Sequence, residues 1–130
     1  MKVTNIDQTL DEVQQDQNVG IKLALLTGDK DMSIFAIELN KDQFIPAHYH
    51  KKGIETYFIL LGKGIVSLGK LKGEQLVWEC QKQVTTGDCF TIHPNEVHKF
   101  ENISEQTLRI IATTPLSHSE EDRFFVQENE

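Results

Sequence analysis

Apolar positions along this chain recur mainly with period two, in short runs separated by Gly, Asn, Asp and Pro. Helical spacing is confined to residues 7–13, where Ile6, Leu10 and Val13 share one face and Asp7 is a suitable N-cap. Residues 14–18 read as polar loop. From there the pattern is β: runs at 21–26, 32–39, the histidine segment around 48–50, 55–61, 65–68, 75–80, 89–93, 97–102 and 106–113. Residues 40–46 read as a connection, 62–64 as a hairpin turn, 69–73 as a loop, and 85–88 and 94–96 as tight turns. About nine short strands with turn signals between them predict an all-β, antiparallel sandwich or barrel, with at most one short N-terminal helix.

One strand departs from a clean alternation. In residues 55–61, Tyr57, Ile59 and Leu61 share a face with Glu55, while Phe58 and Leu60 lie opposite. Both faces are apolar, so both are expected to be covered, the outer one by a second copy of the chain in a homodimer. The segment 117–130 is acidic and reads as a solvated tail except for Phe124-Phe125-Val126. That cluster is expected to dock on the domain or on a partner subunit.

Length and charge narrow the function classes. A chain of 130 residues forms one domain with a core that needs no disulfide. The formal charge of −7 argues against nucleic acid or an anionic membrane as partner, and no apolar run is long enough to span a bilayer. A cytoplasmic protein is expected, with Cys80 and Cys89 on neighbouring strands as free, buried thiols.

The candidate chemistry lies in His48-Tyr49-His50-Lys51-Lys52-Gly53-Ile54-Glu55, followed by Gly62. Histidines at i and i+2 of an extended segment point to the same face. A carboxylate opening the next strand can converge with them. A second segment, from Gly87 to Asn102, holds a short apolar strand, a Pro/Asn turn and a third histidine, His98, at the start of the strand that follows.

Together the two segments resemble the paired motifs of the cupin superfamily. The first fits at His48, His50, Glu55 and Gly62, with Lys41 or Asp42 where a leading Gly is usual; the second fits at Gly87, His98 and Asn102. The second departs from the pattern at His93, where Pro is expected, and at Asn95, where Gly is expected. Asn is the non-glycine residue that best tolerates left-handed backbone, so the loop is expected to keep its shape. The resemblance covers about residues 32–113.

It implies a double-stranded β-helix, or jelly-roll barrel, with His48, His50, Glu55 and His98 holding one divalent metal ion. Three imidazoles and one carboxylate suit Mn, Fe, Ni, Zn or Cu and leave room for a small-molecule ligand. Tyr57 and Phe100 are candidates to line the pocket, and Tyr57 and His93 are candidate acid–base groups. Lys51 and Lys52 are rim residues that could attract an anion, and His118 is expected to be exposed. Three functions are compatible: a dioxygenase-like enzyme on a small polar molecule, a sugar or sugar-phosphate isomerase or epimerase, and a non-catalytic ligand-binding or sensor barrel.

Overall fold

Two five-stranded antiparallel sheets face each other in the computed structural model, which describes residues 1–16 and 20–128. The first sheet has the order β1 (Lys22–Gly28), β2 (Ser33–Leu39), β9 (Leu108–Thr114), β4 (Glu55–Leu61) and β7 (Cys89–Ile92). The second has the order β10 (Phe124–Phe125), β3 (Phe44–Tyr49), β8 (Val97–Glu101), β5 (Lys63–Lys72) and β6 (Gln75–Thr85). The expected jelly-roll architecture is present, with ten strands among the described residues where the sequence predicts about nine.

Period-two alternation puts one face of each strand inside. From the first sheet Phe35, Ile37, Leu39, Ile59, Leu108 and Ile110 pack against Ile45, Val66, Val84 and Phe100 of the second. Helix α1 (Ile6–Glu12) covers part of the first sheet's outer face: Leu10 packs with Ala24 and Ala36, flanked by Ile6, Val13 and Ile111. The predicted helical face is thus the buried one, but the cap is Asn5, whose side chain accepts the Gln8 N–H at 3.1 Å; Asp7 sits inside the first turn. Within the predicted loop at 14–18, Gln17 and Asn18 lie outside the described residues.

Three turns differ from the sequence reading. Gly62 does not close a hairpin, because β4 and β5 belong to opposite sheets. It carries the chain from one sheet to the other at φ 96°, where a Cβ would sit 2.6 Å from the Thr107 carbonyl oxygen. Residues 69–73 are no loop either: β5 continues to Lys72 through a bulge between Leu68 and Gly69 and pairs with a β6 that runs on to Thr85. Strand β3 begins at Phe44 and contains Pro46, at a register shift in its ladder with β8, where the missing N–H is tolerated.

Phe124 and Phe125 form a short strand on the edge of the second sheet, opposite Tyr49 and His48. Val126 donates its backbone N–H to Ala47 O at 2.9 Å, so the apolar cluster docks on the domain itself. Cys80 and Cys89 are free, but they are exposed and lie on the edge strands of opposite sheets, which corrects the expectation of buried thiols on adjacent strands. No helix of the described residues is long and apolar enough to cross a membrane.

Candidate metal centre

The polar cluster sits at one end of the apolar core. His48 near the end of β3 lies directly opposite His98 of β8, and their rings are 4.1 Å apart. His50 follows on the same side, 5.0 Å from the His48 ring, as the i, i+2 spacing predicts. Its carbonyl accepts the N–H of Asn95 at 2.7 Å, which ties the histidine strand to the turn between β7 and β8. Asn95 has the expected left-handed backbone, φ 67°. Nitrogen atoms of His48, His50 and His98 all lie within 4.8 Å of one another, and all three residues are buried.

Backbone carbonyls decide which nitrogen faces inward. His48 Nδ1 is 2.8 Å from Pro46 O, His98 Nδ1 is 3.0 Å from Glu96 O, and His50 Nδ1 bonds to Asp122 O. A carbonyl only accepts, so each Nδ1 carries the proton and each neutral ring keeps its lone pair on Nε2. Among the described residues, Nε2 of His50 and of His98 are the buried side-chain polar atoms with no hydrogen bond. His50 Nε2 is close to Glu55 Oε1 but lacks hydrogen-bond alignment, and His98 Nε2 is 3.9 Å from Glu55 Oε2. Buried acceptors without a partner cost about 1–3 kcal/mol each. A divalent ion accepting these lone pairs removes that cost, and the outer Nδ1–carbonyl bonds are the kind that orient metal-binding imidazoles. The residues present therefore fit a metal ion.

Electrostatics favour neutral imidazoles. Burial, then repulsion from its neighbours, chiefly His98, holds His48 well below the ordinary histidine range, and burial also lowers His98 despite the nearby Glu55 carboxylate. Glu55 is the opposite case. Burial works to raise it, but the hydrogen bond from His118 leads the effects that prevail and hold its carboxyl far below the usual carboxylate range.

His118 is the residue that the sequence reading placed wrongly. It is not exposed: it sits in a 3₁₀ turn, Leu116–Ser119, at 3% exposure. Its Nδ1 donates to Glu55 Oε1 at 2.9 Å and its Nε2 to Lys52 O at 2.5 Å. The Thr114 hydroxyl also lies 2.6 Å from Nδ1, and with a carboxylate and a carbonyl as the other partners both nitrogens carry protons and the ring is an imidazolium. Although burial opposes it, the bond to Glu55 leads the effects that raise its pKa. The ring stacks parallel on His50, 4.0 Å between centroids, and Tyr57 Oη donates to the other Glu55 oxygen. Asp122 completes the wrap: its carboxylate accepts the N–H groups of Lys51 and Lys52 at 2.8 and 3.0 Å. The loop 51–52 is held there through its backbone.

His48 and His50 open into a cavity of about 50 Å³ whose wall includes Glu55, Tyr57 and His118, while the fully buried His98 is not part of that wall. Phe100 is fully buried in the aromatic layer beneath, 5.2 Å from Tyr57, and does not line the cavity. His93 is exposed at the β7–β8 turn, where its backbone N–H bonds Glu96, and it too is absent from the cavity wall. Asn102 bonds the carbonyls of Leu39 and Gln106, a structural role outside the cavity wall.

The cupin domain family model matches residues 35–114. This chain belongs to the cupin family. The uncharacterized protein MJ1618 of Methanocaldococcus jannaschii is 35% identical over 75 residues, 58% of this chain and 53% of that protein, so the chain spans about half the length of this curated relative. Among solved structures, an uncharacterized double-stranded β-helix protein of Klebsiella pneumoniae superposes with a TM-score of 0.70 at 14% identity, covering 98% of this chain and 99% of the other. An oxalate oxidase superposes with a TM-score of 0.67 at 16% identity, over 91% of this chain and 61% of the other. At such identities the structural likeness speaks for the fold, and the cupin's chemistry must be argued from its own residues.

Proposed function

We propose that this cupin is a metal-dependent enzyme of the dioxygenase-like kind acting on a small polar molecule. His48, His50 and His98 hold the ion and Glu55 is its carboxylate ligand. The observation that carries the reading is the convergence of buried Nε2 lone pairs, each ring oriented by a carbonyl on its other nitrogen. The bound ion, if iron, supplies the redox chemistry and the open positions where substrate and dioxygen meet.

The protein's part is to orient and to exclude water. Tyr57 and His118, the hydrogen-bonding side chains nearest the ligands, both donate to Glu55. Neither offers an unengaged base to the cavity, and His93 lies outside it. An isomerase needs such a base to move a proton between carbons, so this arrangement favours chemistry carried by the metal and dioxygen. A barrel of this fold serves an oxalate oxidase, so the fold accommodates oxidation of a small acid.

Metal analysis of the purified protein, followed by oxygen uptake with small carboxylates, diols and thiols, tests the reading. Iron together with substrate-dependent uptake is expected. A full complement of metal with no uptake would leave the binding or sensor barrel in its place.

The protein is also a cytoplasmic homodimer in this reading. Phe58 and Leu60 on the outer face of β4 are 40% and 38% exposed, and a second copy is the occupant expected there. Sedimentation should show a dimer that Phe58→Asp converts to monomer; a monomeric wild type would rule the dimer out.

A further inference from the structure

We infer that Arg123 is the anion seat of this cavity, and that the ligand is a short-chain carboxylate carrying a second oxygen donor for the metal. The inference rests on the metal site proposed above and names the substrate class for it. Arg123 lines the same cavity as His48 and His50, and its side chain is only 9% exposed. The wall between is apolar, formed by Ile21, Leu23, Phe35 and Ile37. Phe125, outside that wall, has the Arg123 guanidinium 5.3 Å from its ring centre, and its ring is 6.1 Å from that of His48.

The guanidinium is under-used for a group so buried. It has five N–H donors, yet among the described residues its hydrogen bonding amounts to one contact, Nη1 to Asp16 Oδ2 at 3.3 Å. That is long beside the 2.7–2.9 Å usual for charge-assisted bonds. The charge is paired with Asp16, and no Arg123 nitrogen is among the buried polar atoms without a hydrogen bond, so the remaining donors are open to whatever enters the cavity; a carboxylate matches the guanidinium fork with two parallel bonds. Cavity size supplies the other limit. A cavity of about 50 Å³ suits a hydroxy- or oxo-acid of a few carbons.

The test uses the full chain loaded with Co²⁺, whose absorption reports ligand entry, titrated with glycolate and with its neutral analogue glycolamide. Metal coordination favours glycolate by itself, so the informative quantity is how the glycolate-to-glycolamide affinity ratio changes with the residue at 123. Arg123→Gln should lower that ratio by about tenfold or more while Co²⁺ affinity stays unchanged. Asp16→Asn, which removes the competing carboxylate, should raise it, and it decides the matter should Arg123→Gln fail to fold. A ratio unmoved by the substitutions, with one Co²⁺ per chain retained, would overturn the anion seat and leave the metal site standing. Failure of the wild type to take up Co²⁺ would remove both.

Discussion

Glu55 is a carboxylate with both oxygens already engaged, one by the His118 imidazolium and one by the Tyr57 hydroxyl. Its charge is therefore secured and its rotamer fixed before any ion arrives. His118, which with His50 and Glu55 also forms a group that could hold an ion, has both nitrogens engaged and acts in the proposed site as a positioning residue for Glu55. Outer partners of this kind set metal affinity, and their loss typically costs 10–100-fold. His118→Ala should weaken Co²⁺ binding by about tenfold or more in a competition titration; an unchanged affinity would show that Glu55 needs no such support. The convergence of the candidate ligands was readable because three of the four fall within eight residues of sequence, where strand periodicity fixes which side chains share a face. His118 was not, since its partner lies 63 positions away and the contact exists only once the C-terminal segment folds back. The apolar run Phe124-Phe125-Val126 was the available signal: docked on the domain, it brings His118, Ser119 and Arg123 to the cavity wall. Phe100 was misread for a related reason, because sharing a strand face with His98 puts a side chain inside the barrel but does not say at what depth.

Turns are where elements escaped the sequence reading. A Gly-Lys-Gly run has the composition of a two-residue hairpin, but composition cannot tell a hairpin from a crossing between facing sheets. The distinction is set by which strands pair, and β4 pairs with β9 and β7 rather than with β5. Gly62 is required at that crossing by its positive φ and by the approach of Thr107 O. Gly62→Ala should destabilise the protein by about 2–4 kcal/mol in urea unfolding, and a neutral result would mean that the crossing can relax. The strand at 44–49 was legible except for its start, since Pro46 reads as a breaker until the register shift that accommodates it is seen. The short helix was legible in its buried face and off by two residues in its cap, because Asn5 and Asp7 are both good caps and only backbone geometry separates them.

At the scale of the molecule, the alternating strands and the two histidine-bearing segments were enough to expect a jelly-roll cupin, and the family match and the two facing sheets bear this out. The architecture explains why the site is buried yet small. The sheets meet along an apolar core, and the C-terminal segment lies along the edge of β3 and supplies His118, Ser119 and Arg123 to the cavity wall. Everything proposed about chemistry depends on whether that cluster holds an ion. The most direct measurement is metal content per chain, by elemental analysis, of wild type and of His98→Ala after equal exposure to Fe²⁺, Mn²⁺ and Co²⁺. One equivalent per wild-type chain, falling to a small fraction in His98→Ala while the fold is retained, is the predicted result. Equal metal in the two proteins, or none in the wild type, would contradict it.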